Sequence, residues 1–273
     1  MPRTAATTDR TGPAKAPADG DDLNSSAAGR VATVLLAFGD RGTSGALTVS
    51  EVARHLGRER SQVSRMLKVL AASGLLEQDQ ETRAYRLGWR MYHLAGRAGD
   101  QRLLALATPA LRDLVARTRE TALISVLQGN RSFTVARESS MQSVQAGGWV
   151  GRTSPLHSCA SGRALMLHMS DEDVANLVHG DLQGAGLGPR APESMRSVID
   201  LIRQERARGF TVAIDELEDG LTSVGAPITS ATGETLAAIN VSGPTSRLAR
   251  HVEGIGPQLV LTARHVSARM SVA

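Results

Sequence analysis

Between Gly57 and Gly74 the chain carries a helical stretch whose two faces have nothing in common. With Val63 as reference and about 100° per residue, Met66, Leu67 and Leu70 fall within about 60° of it. Ser61, Arg65 and Lys68 fall on the opposite side, flanked by Arg58, Gln62 and Ser64. The spacing predicts a helix over 59–73, ended at Gly74 because glycine accepts the left-handed turn that stops a helix. A stripe this narrow must dock on a partner surface, so the stretch constrains its neighbours as well as itself.

Those neighbours are legible. Residues 28–38 place Val31, Val34, Leu35 and Phe38 at helical spacing. Thr48 followed by Glu51 is a capping box, in which each side chain satisfies an orphan amide at a helix start. Val49, Val52, Ala53 and Leu56 then share one face until Gly57. Beyond Gly74, the segments 75–78 and 84–87 read as short strands joined by the turn residues Asp79-Gln80-Glu81-Thr82. Helix, helix, outward-reading helix and hairpin together make a winged helix-turn-helix. From Arg54 to Lys68 there are five cations (Arg54, Arg58, Arg60, Arg65, Lys68) against Glu59 alone.

Short polar groups and long cations on one helix face can read base edges and hold phosphates. The candidate DNA contacts are Arg58, Arg60, Ser61, Gln62, Ser64, Arg65 and Lys68, with Arg83 and Arg86 from the wing. Aromatics are only 3% of the chain, so stacking on single strands is poorly provided for and a duplex is the better fit. A net charge of +4 is compatible with that without deciding it. Two other readings stay open: a solvated basic face, and a winged helix that binds protein and shows no salt-dependent DNA affinity.

Met91, Leu94, Ala95 and Ala98 lie at helical spacing between the halves and predict a linker helix. From Leu106 onward the pattern is mixed. An amphipathic helix carries Leu106, Ala110, Leu111, Leu114 and Val115, and a strand pair over 123–127 and 132–136 flanks Gly129. Helices follow over 158–169, from Ser170 and over 194–207. Strands are expected at 210–214, 223–228 and 235–241, and a last helix at 257–270. The sum is an α+β chain with an antiparallel-rich sheet in its second half. Asn240 and Ser242 alternate with Val241 and so face the same side, near Ser223 on the neighbouring strand.

Catalytic chemistry finds little support. His157-Ser158-Cys159 sets a base beside two nucleophiles, but adjacency in sequence does not supply an oriented triad. No metal or cofactor motif occurs, and Cys159 is the only cysteine, which rules out an intrachain disulfide and a thiolate cluster. No run of about 18 apolar residues occurs, so no membrane partner is expected. Residues 1–24 hold little to bury and read as a disordered tail. A cytoplasmic location is expected.

The segment LTVSEVARHLGRERSQVSRMLKVLAASGLLEQDQETRAYRLG resembles the amino-terminal domain of the IclR family of bacterial regulators. GRTSPLHSCASGRALM, GFTVAIDELEDGLTSVGAPI and GETLAAINVSGPTSR are similar to that family's later signatures, in the same order. The resemblance implies a winged helix-turn-helix over 25–89, a linker helix over 90–106 and a GAF-like α/β effector domain over 107–273. It implies double-stranded operator DNA as one partner and a small-molecule effector, an organic acid or aromatic compound, as the other. It also implies a homodimer or dimer of dimers, and an effector site at Ala146, Ala160, Asp215, Ser223, Asn240 and Ser242. Asp215 would repel a carboxylate ligand unless protonated or offset by a donor. The rival reading is a small-molecule enzyme with an accessory winged helix.

Overall fold

A computed structural model describes residues 26–39, 45–145, 149–182 and 187–271. The tail expected over 1–24 lies outside them. The amino-terminal unit begins with α1 (Ala27–Leu36), capped by the Ser26 hydroxyl, which accepts from the Gly29 amide at 2.9 Å. Helix α2 (Val49–His55) starts on the expected box: the Glu51 amide donates to Thr48 Oγ1 at 3.4 Å, and the Thr48 amide donates to Glu51 Oε2 at 2.7 Å. Gly57 at φ +61° turns the chain into α3 (Arg60–Ala72), and Gly74 at φ +74° follows its end. Val63, Leu67 and Leu70 of α3 are buried with Val34, Phe38, Val52 and Tyr85, the core that the apolar stripe demanded.

The wing is β2 (Leu76–Gln78) against β3 (Tyr85–Leu87). Its turn is organised by Asp79, whose Oδ1 accepts from the amides of Glu81 and Thr82 at 3.1 and 2.7 Å. A third strand that periodicity did not reveal, β1 (Ala46–Leu47), pairs antiparallel with β3. Two residues are too few to show a period of two.

The single linker helix expected over 90–106 is two helices, α4 (Trp89–Ala95) and α5 (Gln101–Thr118). Gly99 sits at φ +62°, and the Asp100 carboxylate accepts from the Leu103 amide at 3.0 Å. Helix α4 closes at Gly96, whose amide donates back to Tyr92, and the aspartate cap beyond Gly99 starts the next helix. The spacing of apolar residues carried across the break and hid it.

The second half is built on a six-stranded antiparallel sheet in the order β6-β5-β4-β9-β8-β7. Its strands are β4 (Thr121–Gln128), β5 (Arg131–Glu138), β6 (Thr153–Pro155), β7 (Thr211–Ile214), β8 (Leu221–Thr229) and β9 (Thr235–Pro244). Alternation along the three central strands makes two different faces. On one face, Ala122, Ile124, Val224, Ala226, Ile239 and Val241 pack against two long helices. These are α5, through Leu103, Ala107, Leu111 and Leu114, and α10 (Val252–Ser271), through Leu259, Ala263 and Val266.

The opposite face carries α6 (Ala160–Met166), α7 (Asp171–Val178) and α8 (Met195–Arg208). Their Leu165, Val174, Val198 and Ile202 form a second core with Ala238. A short helix α9 (Thr245–Leu248) stands between β9 and α10.

Helix α6 begins later than expected, at Ala160, because the Cys159 sulfur caps it by accepting from the Gly162 amide at 3.3 Å. Gly162 also lies against the chain just before the helix: a Cβ there would collide with the backbone of Leu156. Gly162→Ala is therefore expected to cost about 1–3 kcal/mol through forced displacement of backbone. Urea unfolding followed on the second half reads this, and an unchanged midpoint would show that the Leu156 segment yields freely.

Candidate DNA interface and effector chamber

Docking of the α3 stripe leaves Arg60, Ser61, Gln62, Arg65 and Lys68 exposed, with Arg58 and Ser64 half-buried at the margins. The Ser61 hydroxyl donates to Glu59 Oε1 at 3.0 Å, so the one acid of this stretch is drawn to the start of α3. Arg83, at φ +57° on the wing turn, is exposed, and its carbonyl accepts from Gln78 Nε2 at 3.1 Å. Arg86 is engaged within the wing itself. Its guanidinium donates to Glu77 Oε2 through Nε at 3.2 Å and Nη2 at 3.0 Å, across the register Glu77↔Arg86. A cation already held by a carboxylate braces the wing, and its charge is partly offset before any phosphate approaches.

On the α6 face of the large sheet a small chamber lies between the strands and the start of α6, with a free volume of about 30 Å³. Ser223, Asn240 and Ser242 line it, with Asn240 and Ser242 on one face of β9 as their alternation predicts. Asn240 Nδ2 donates to Ser242 Oγ at 3.0 Å, while Asn240 Oδ1 is buried with no hydrogen-bond partner among the described residues. The structure adds Ser125, Thr134, Ser154, Cys159 and Ser161, with Trp149 and Leu217 contributed by loops. Ser125 Oγ and Thr134 Oγ1 are 3.3 Å apart across β4 and β5, and the Ser132 and Ser161 hydroxyls are 3.0 Å apart. Buried hydroxyls at inward positions of β4 and β5 were a signal the sequence offered, but only the sheet shows that they converge on Asn240.

Two residues carried by resemblance fall outside this lining. Asp215 adopts φ +55°, and its Oδ1 accepts from the Gly220 amide at 3.0 Å and the Thr245 hydroxyl at 2.6 Å. Its carboxylate is engaged in closing the loop before β8. Ala160 is buried on α6, and its carbonyl accepts from Thr211 Oγ1 at 2.7 Å. Ala146 lies outside the described residues.

Behind the chamber stands a fully buried cation. Arg163 donates to Glu205 Oε2 at 2.9 Å, to Glu216 Oε2 at 2.5 Å and to the His157 carbonyl at 2.8 Å. Burial works against its charge, but the two carboxylates outweigh it and raise its pKa. Burial lowers the pKa of His157 and raises that of Cys159. Neither ring nitrogen of His157 has a hydrogen-bond partner among the described residues, so no base is aimed at the thiol. Among the described residues no cluster of three or more metal-ligating side chains occurs, and no helix is long and apolar enough to cross a membrane.

A sequence model of the IclR helix-turn-helix domain matches residues 27–80, and one of the bacterial transcriptional regulator IclR C-terminal domain matches residues 97–268. The chain belongs to the IclR family. It is similar to the HTH-type transcriptional regulator BhcR of Paracoccus denitrificans, with 30% identity over 84% of this chain and 82% of the relative. It is also similar to the HTH-type transcriptional repressor AllR of Escherichia coli K12, with 28% identity over 84% of each chain. Among solved structures, an IclR homolog from Microbacterium hydrocarbonoxydans complexed with 4-hydroxybenzoate superposes with a TM-score of 0.74 at 25% identity, over 88% of this chain and 97% of that one. An IclR regulator from Alicyclobacillus acidocaldarius shares the fold with a TM-score of 0.75 at 22% identity, over 92% of this chain and 98% of that one. This IclR-family protein is a helix-turn-helix, DNA-binding transcription regulator.

Proposed function

We propose that α3 reads operator DNA in the major groove through Arg60, Ser61, Gln62, Arg65 and Lys68, with Arg58 and Ser64 at its margins. Arg83 holds phosphate from the wing. The regulator acts in the cytoplasm as a homodimer or dimer of dimers, because duplex operators are read in half-sites. The domain units follow the boundaries 25–89 and 107–273, joined through α4 and the start of α5.

The effector site is the chamber at Asn240, and the unpartnered Asn240 Oδ1 carries that reading. A buried acceptor left unpaired costs about 1–3 kcal/mol, which a ligand donor would recover. The effector is a small organic acid or aromatic compound that presents a hydroxyl or N–H to Asn240, with Ser223 and Ser242 beside it. A free volume of about 30 Å³ is close to the share of one water in the liquid. Entry of such a ligand therefore moves a wall, and the loop-borne Trp149 and Leu217 are the walls held by neither strand nor helix. The site senses its ligand without turning it over, a reading supported by the buried Cys159 and the unpaired His157.

Asn240→Leu and Ser223→Val are expected to weaken effector binding by about tenfold each, the loss of one hydrogen bond in a closed site. Operator affinity without effector should stay unchanged. With 4-hydroxybenzoate and other small hydroxyl-bearing carboxylates as probes, operator affinity measured with and without ligand tests this. Full ligand response in both variants would place the effector elsewhere, and consumption of the probe would establish an enzyme.

A further inference from the structure

A second groove, of about 730 Å³, opens where the end of α5 meets the corner between α9 and α10. Its lining shares no residue with the Asn240 chamber. Arg117, Arg119, Arg247, Arg250 and His251 border it, and Glu120 is the one carboxylate among its lining residues. Arg247 takes up that carboxylate, donating through Nε at 2.7 Å and Nη2 at 2.9 Å, and Nη2 also donates to the Val144 carbonyl at 2.8 Å. One guanidinium is thus fixed in place, and the negative charge in the lining is neutralised.

The remaining cations of the lining have no acid among the described residues. Arg117 donates to the Asp113 carbonyl at 3.2 Å, near the carbonyl end of α5, where a positive charge is favoured. The side chains of Arg119 and Arg250 make no hydrogen bond or ion pair among the described residues. By contrast, Arg112, Arg131, Arg203, Arg206 and Arg208 on the same half each stand within 4.0 Å of a carboxylate. Like charges gathered on one groove repel until an anion enters. Guanidinium groups match phosphate and carboxylate oxygens in pairs, and the volume suits a metabolite.

We propose that this groove binds a small multivalent anion, a phosphate-bearing or polycarboxylate metabolite, independently of the effector chamber. Titration calorimetry on the full chain with pyrophosphate and with citrate tests it. Saturable binding of at least one probe is expected, weakening steeply between about 50 and about 300 mM salt. The relative affinities of the two probes distinguish phosphate from carboxylate as the preferred group. The double variant Arg119→Gln/Arg250→Gln should lose about tenfold or more in affinity. Arg65→Gln/Lys68→Gln, which alters the other basic face, should bind the probes as wild type does. All four side chains are on the surface, and unchanged thermal midpoints would show that the folds are intact. Absence of saturable binding overturns the proposal, as does a loss confined to the Arg65/Lys68 variant.

Discussion

Arg163→Met is expected to destabilise the second half by about 3–5 kcal/mol, the usual cost of removing one partner from a buried ion network. Methionine fills part of the space but leaves Glu205 and Glu216 facing each other in a dry interior, and it strips the His157 carbonyl of its donor. Urea unfolding at neutral pH should show the loss as a lower midpoint. The variant also carries a pH signature. Burial already pushes the Glu216 pKa up, against the pull of Arg163. Without the cation the folded-state pKa rises further above the unfolded value, so the folded state binds protons more readily. Stability of the variant is then greatest below the unfolded carboxylate value and falls as pH rises through the folded one. The gap from wild type should narrow on acidification from about pH 7 towards about pH 5. A gap that stays constant would mean that the carboxylates relax to water when Arg163 is lost.

Arg65→Ala should reduce discrimination between operator and random duplex. If Arg65 pairs with a guanine edge, the expected loss is about 1–3 kcal/mol per half-site, and an operator of paired half-sites feels it in each. Arg83→Ala should instead weaken binding to every sequence and flatten the salt dependence, because a phosphate contact carries no base information. Titrations of operator and random duplex at several salt concentrations separate the two outcomes. Equal loss on both duplexes for Arg65→Ala would end the assignment of base reading to that side chain. Arg86→Ala gives a further contrast: its guanidinium is held by Glu77, so a small effect is expected.

The amino-terminal half was legible because its information is local. A capping box, glycines at positive φ and a one-sided helix lie within a few residues of one another, and each has a single cheap backbone solution. The same logic exposed Asn240 and Ser242, which alternate on one strand. Local pattern failed where two local signals competed, as between Gly96 and Asp100, where apolar spacing ran on through a break between helices. Nor could it show that Arg86 pairs with Glu77, a partner set by strand register. The Ser125, Thr134, Ser154 and Ser161 hydroxyls are far from Asn240 in the chain, and only the antiparallel order of the sheet and the seating of α6 on it bring them there. The departure of Asp215 from that chamber was decided by a left-handed turn closed by Gly220 and Thr245. Sequence by itself determined most of the longer helices and strands and which of their faces are polar, since those follow from periods of about 3.6 and about 2. Tertiary structure alone decided which polar groups meet and which charges find partners, because long-range pairing selects among the many contacts that local patterning permits.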